Sequence, residues 1–187
     1  MRREAIGSLQ KRSRQRGVAA LEFAFVFPVI FMLLYGTLHF GMVFTARLSL
    51  QHAAEEGARA ALRFRQAEVG GIQVGCPGSD LVTEAEDQLQ QRMARARQVS
   101  CARLDWLTVW GPPQIVTALC PAGVDCTTGD GTVPDCGDTL DTSCQLIVTV
   151  TYAYAQQPII PALPGFGIVS PTSLQGQARV RIDGRVL

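Results

Sequence analysis

The chain has 187 residues, 47% of them apolar, with 17 basic and 16 acidic side chains. That length holds one modest domain with appendages, and nothing in so balanced a charge supplies the concentrated basic face that nucleic-acid binding needs. The balance conceals three zones: residues 1–17 carry six basic side chains against Glu4, residues 18–46 carry Glu22 alone, and residues 47–187 carry 11 arginines against 14 acids.

Residues 1–17 read as a basic leader on the cytoplasmic side of a membrane, because positive charge flanking an apolar run stays inside. Residues 18–46, VAALEFAFVFPVIFMLLYGTLHFGMVFTA, then predict one transmembrane helix. About 20 apolar residues cross the hydrocarbon core, and this run is too long for the apolar core of a secretory signal peptide. Pro28 removes a helical hydrogen bond and is expected to bend the helix. His39 reads as a satisfied helix residue, since Tyr35 and Val43 at i±4 are not ligands. Gly36 and Gly41 are five apart and do not make a GxxxG face.

Glu22 needs a reason, because an ionised carboxylate at mid-bilayer costs about 2.5–3.5 kcal/mol. One reading is an interfacial acid at a helix N-terminus, where the dipole favours negative charge. The other starts from Gly17. Cleavage after it would make Val18 the first residue and place a new α-amine one helical turn from Glu22. An ion pair between them, within a chain or across two, would offset both costs and fix an axial register between neighbouring helices.

Residues 47–66 predict a juxtamembrane helix with a buried stripe of Leu50, Ala54, Gly57, Ala58, Ala61 and Leu62 and an i,i+4 pair between Glu55 and Arg59. So small-sided a stripe admits close approach, either by the head's own sheet or by other helices in a filament. GGIQVGCPGS (70–79) is a loop. Residues 80–99 predict a second helix with an apolar stripe of Val82, Ala85, Leu89, Met93, Ala96 and Val99. Its acids Glu84, Glu86 and Asp87 come early and Arg92, Arg95 and Arg97 late, on a solvated face. Four strands follow, at 103–110, 114–119, 145–155 and 174–182, the first two pairing across Gly111-Pro112-Pro113. QQPIIPALPGFGIVSPT (156–172) is too proline-rich for a central strand and either wraps the sheet edge or offers a docking surface. The expected fold is α+β: a long N-terminal transmembrane helix continuing into a small extracytoplasmic head, residues 67–187, with an antiparallel sheet.

All six cysteines, Cys76, Cys101, Cys120, Cys126, Cys136 and Cys144, lie beyond the apolar run. An even number there reads as disulfides in an oxidising compartment, with 15 pairings open. Residues 120–144 hold four of them and five aspartates, with no lysine or arginine, and read as a long loop stapled by disulfides in place of a core. Zinc finds no CxxC or Cys/His ligand spacing. Calcium is the alternative on Asp125, Asp130 and Asp135, although their spacing departs from an EF-hand loop. No GxSxG, HExxH or P-loop occurs, so neither catalysis nor a cofactor is expected.

GVAALEF (17–23) after a basic leader resembles the prepilin peptidase site of Flp, or tight-adherence, pilins, which carry Gly, four residues, Glu and then Tyr; here Phe23 stands in place of Tyr. RGVAALEFAFVFPVIFMLLYGTLHFG, with Pro28, Gly36 and Gly41, and SLQHAAEEGARAAL after it, resemble the TadE-like family of minor pseudopilins over residues 14–62. The likeness returns weakly in LIVTVTYAY and LQGQARVRID. The resemblance implies cleavage between Gly17 and Val18, an assembly role for Glu22, Phe23 and Pro28, and a structural part in assembling a tight-adherence type IV pilus. It implies a single-pass protein of the bacterial inner membrane. The partners it implies are a prepilin peptidase, other pilins and minor pseudopilins, and the inner-membrane assembly platform. The alternative is an uncleaved, singly anchored envelope domain that binds a ligand or acts as a scaffold.

Overall fold

The computed structural model describes residues 15–63, 88–121, 143–161 and 170–182. Helix α1 spans Gln15–Leu62, 48 residues with Pro28 inside it; the expected transmembrane and juxtamembrane helices form one element with no break at 46/47. The chain divides into two compact units, Met1–Gly41 and Met42–Leu187. In the second unit the C-terminal part of α1 is joined by α2 (Gln88–Arg103), a 3-10 turn at Asp105–Leu107, and strands β1 (Gln114–Pro121), β2 (Cys144–Tyr152) and β3 (Leu174–Ile182).

The strands form an antiparallel sheet in the order β1-β2-β3. Alternation fixes its register. On β2, Leu146, Val148, Val150 and Tyr152 are fully buried in the main core, while Ile147 on the opposite face packs with Ala118 and Cys120. Ile115 of β1 stands opposite Val150, which stands opposite Gly176 of β3. β2 ends at Tyr152, short of the expected residue 155, yet Tyr154 stays buried in the same core. β3 matches the expected 174–182, with Leu174 and Ile182 buried and Gln175, Arg179 and Arg181 exposed. Of the proline-rich segment, Ile159 enters the main core, and residues 162–169 lie outside the described residues.

Residues 103–110 do not form the expected strand. Leu104 and Leu107, three apart, are both fully buried, which is helical rather than alternating periodicity. Successive i→i+3 bonds wind the segment: Leu104 N–H to Cys101 O at 2.9 Å, Leu107 N–H to Leu104 O at 2.9 Å and Trp110 N–H to Leu107 O at 3.1 Å. The Thr108 hydroxyl donates to the Asp105 carbonyl at 2.6 Å, a local bond that competes with strand pairing. β1 therefore pairs with β2, and the described residues hold three strands, not four. α2 extends to Arg103, four residues past its expected end, and the expected early acids lie outside the described residues. Its arginines are not a solvated face: Arg92 is buried with Ala96 and Ser100.

The small-sided stripe of α1 is occupied from within its own unit. A Cβ on Gly57 would stand 2.0 Å from Ser100 Oγ and 2.8 Å from the Ala96 carbonyl, so α2 crosses α1 in near backbone contact. Ser100 Oγ donates to Ala53 O at 2.9 Å, and Arg92 Nη1 donates to Ala61 O at 3.4 Å. The last carbonyls of a helix lack internal partners, and a cation there also favours the dipole. β3 approaches from another side: a Cβ on Gly176 would meet the Leu50 carbonyl carbon and oxygen at 2.5 Å and Gln51 N at 2.6 Å. Beside it the Gln51 amide pairs with the edge of β3, Nε2 donating to Gln177 O at 3.1 Å and Oε1 accepting from Gln177 N at 3.2 Å. Two expectations on this helix fail. Leu62 is exposed, and Arg59 pairs with Glu56 at 3.5 Å rather than with Glu55, which accepts from Gln51 Nε2 at 3.1 Å.

Cys101, Cys120 and Cys144 are disulfide-bonded. Cys76, Cys126, Cys136 and the aspartates Asp125, Asp130 and Asp135 lie outside the described residues, as does the rest of the loop between Pro121 and Ser143.

Gly176→Ala is expected to destabilise the second unit by about 1–3 kcal/mol, because the added methyl meets backbone that must move. Gly41→Ala, where a Cβ meets nothing within 4 Å, should leave it unchanged. Denaturant unfolding of the full chain in detergent, followed by tryptophan emission, compares the two. A second outcome concerns pH. The Tyr152 hydroxyl donates to Gln157 O at 2.6 Å, and burial, then the nearby Tyr154, raises its pKa above the ordinary 10.0. The unfolded chain therefore ionises first, so this stabilisation is whole below pH 10 and lost as pH rises beyond it. Tyr152→Phe should flatten that alkaline loss while costing about 1 kcal/mol at neutral pH, measured by unfolding at graded pH.

Candidate assembly site on the apolar helix

In the first unit, side chains from Val18 to Leu34 are exposed along α1. They are apolar apart from Glu22. By length and composition the helix from Val18 can cross a membrane. Glu22 is the only charged residue between Val18 and Ala46. It stands seven residues past Gln15, and the first turn of α1 contains no acid. The dipole's pull falls off within the first turn, so the reading of Glu22 as an acid stabilised at the start of this helix is not supported. Among the described residues its carboxylate makes no ion pair or side-chain hydrogen bond.

Phe23, the next residue, begins a ladder of stacked rings. Phe23–Phe27, Phe27–Phe31, Phe31–Tyr35 and Tyr35–His39 have centroids 5.3, 6.0, 6.3 and 6.0 Å apart. Spacing of four brings each ring over the next on one helical stripe. His39 closes the ladder, buried, with Phe40 edge-on at 5.7 Å. The ladder was missed in the sequence, although its signal, five rings at intervals of four, was there to count. Pro28 lies on the exposed helix between the second and third rings, and Thr37 Oγ1 donates back to Leu34 O at 2.8 Å.

Gly17 and Val18 thus lie on one turn of the helix and Glu22 on the next, with Phe23 at the foot of an aromatic stripe and Pro28 about a turn and a half above Glu22. The arrangement presents a single carboxylate in an otherwise apolar surface. Among the described residues no three His, Cys, Asp or Glu side chains come together to hold a metal. No curated protein and no solved structure matches the chain. Residues 17–59, which hold Glu22, Pro28 and the small-sided stripe as far as Ala58, match the model of the family described as TadE-like protein, the family that this motif resembles.

Proposed function

We propose that this chain is a pilin-like structural component of a tight-adherence type IV pilus system, cleaved after Gly17 by a prepilin peptidase. The observation that carries the reading is Glu22: one carboxylate, unpaired among the described residues, two turns into an apolar helix whose sequence matches the TadE-like model. Cleavage turns this liability into a fit. Val18 becomes the first residue, its α-amine stands one turn from Glu22, and the carboxylate now lies near the positive end of the shortened helix. A neighbouring subunit's amine can take the same position, so pairing also sets register between helices.

In this reading the basic leader is cytoplasmic until it is cleaved, and the mature helix anchors the chain in the bacterial inner membrane with its head outside. The disulfide-bonded Cys101, Cys120 and Cys144 fit an oxidising compartment; a staple across residues 120–144 belongs to the same reading. The role is structural rather than enzymatic, and the partners are the peptidase, other pilins and minor pseudopilins, and the assembly platform.

N-terminal sequencing of the chain extracted from membranes of its own cells should start at Val18. Glu22→Gln should still insert but lose pilus assembly, scored by adherence and by recovery of surface filaments. A start at Met1, together with normal assembly in Glu22→Gln, would instead favour the uncleaved anchored domain.

A further inference from the structure

We propose that the turn joining α2 to β1 is a lipid-facing foot, in which Trp106, Val109 and Trp110 seat the second unit in the interfacial layer of a phospholipid membrane. The proposal rests on reading residues 18–46 as a membrane span.

The placement follows from two registers within the second unit. α2 runs antiparallel along α1: Arg92 meets Ala61, Ala96 and Ser100 flank Gly57, and Ser100 meets Ala53. Each step of four forward on α2 is a step of four back on α1. Continued at 1.5 Å per residue, Leu104 stands level with about residue 49 and Leu107 with about residue 46. Both leucines share one core with Ala46 and Leu50. The sheet gives the same level independently. Gly176 abuts the Leu50 backbone and lies across β2 from Ile115, so the start of β1 is also level with Leu50. The connecting turn therefore lies at or beyond that level, toward the apolar run, which ends at Ala46 before Arg47. Val43, inside that run, packs against the same core. The head thus reaches past Arg47 to a depth where the chain is built for hydrocarbon.

What the turn exposes there is apolar. Trp106 is 37%, Trp110 41% and Val109 80% exposed, with the two indoles edge to face at 6.0 Å. Phe44 and Leu48 are exposed at the same level on α1. In water such a patch costs free energy, whereas at a bilayer surface an indole keeps its ring in the acyl boundary and its N–H among headgroups. Asp105 and Arg47, both exposed, hold the foot at headgroup depth rather than deeper.

Trp106 and Trp110 are the chain's only tryptophans, so native emission reads the foot directly. The full chain is reconstituted in phosphatidylcholine–phosphatidylglycerol vesicles with and without brominated acyl chains. A companion chain carries Trp106→Phe, Trp110→Phe and Phe31→Trp, which reports the span. Loss of native emission in brominated lipid, a blue shift on reconstitution and protection from acrylamide are expected, together with quenched Phe31→Trp. Quenched Phe31→Trp with native emission that brominated lipid leaves intact overturns the foot alone, whether acrylamide reaches the indoles or a protein surface shields them. Unquenched Phe31→Trp overturns the membrane reading and the foot with it.

Discussion

The second unit depends on backbone coming within contact distance of α1, and that depends on what α1 does not carry. At Gly57 a side chain would collide with Ser100 and the Ala96 carbonyl, and at Gly176 one would collide with the backbone of Leu50 and Gln51. Between these points α1 offers Ala53, Ala54, Ala58 and Ala61, all buried. A helix with leucines at those positions would hold α2 and the sheet farther off. It would lengthen the Ser100 bond to Ala53 and part the Gln51 amide from β3. The polar contacts are consequences of the close approach. They satisfy buried groups and select one register, while the apolar core that closes around them supplies most of the stability.

That closeness bears on the choice left open by the sequence, between a stripe kept for the head and a stripe kept for other helices. The alanines that face α2 and β3 are spent within their own unit. The helix surface from Val18 to Leu34 stays exposed on every side, and there the rings of Phe23, Phe27 and Phe31 and the carboxylate of Glu22 stand. On the proposed reading, an assembly contact through this part of α1 would meet aromatic and acidic chemistry rather than small residues, with one charge to give it specificity.

Much of this was legible in the sequence where one periodicity dominated. β3 was found to the residue because Leu174, Ala178, Val180 and Ile182 alternate with glutamines and arginines, and the core of β2 because Val148, Val150 and Tyr152 leave no helical alternative. The segment 103–110 failed for the opposite reason. RLDWLTVW satisfies a period of two through Leu104, Trp106 and Trp110, and a period of three through Leu104 and Leu107. Tertiary burial of the two leucines, with hydroxyl and carbonyl bonds at Asp105 and Thr108, decided for the turn. Ion pairs were the least legible. Glu55 and Glu56 are both within a turn of Arg59; Gln51 donates to Glu55, and Glu56 takes Arg59 at 3.5 Å and also Arg103 at 3.9 Å.

Glu22 was legible as a motif before it was explicable as physics. In the sequence it stood five residues past a glycine, and its cost could be excused by a nearby helix start. The structure removes that excuse by beginning α1 at Gln15, so the helix dipole no longer reaches the carboxylate. Two ways remain for such a group to exist in an apolar run. It can stay protonated and forgo its charge, or it can be given a cation. A chain that begins at Val18 supplies a cation at the right distance from its own first turn, and a packed neighbour supplies another. On the uncleaved chain the nearest cation in sequence is Arg16, six residues back. On the proposed reading, cleavage after Gly17 is what turns Glu22 from a tolerated defect into a polar contact around which apolar helices can align.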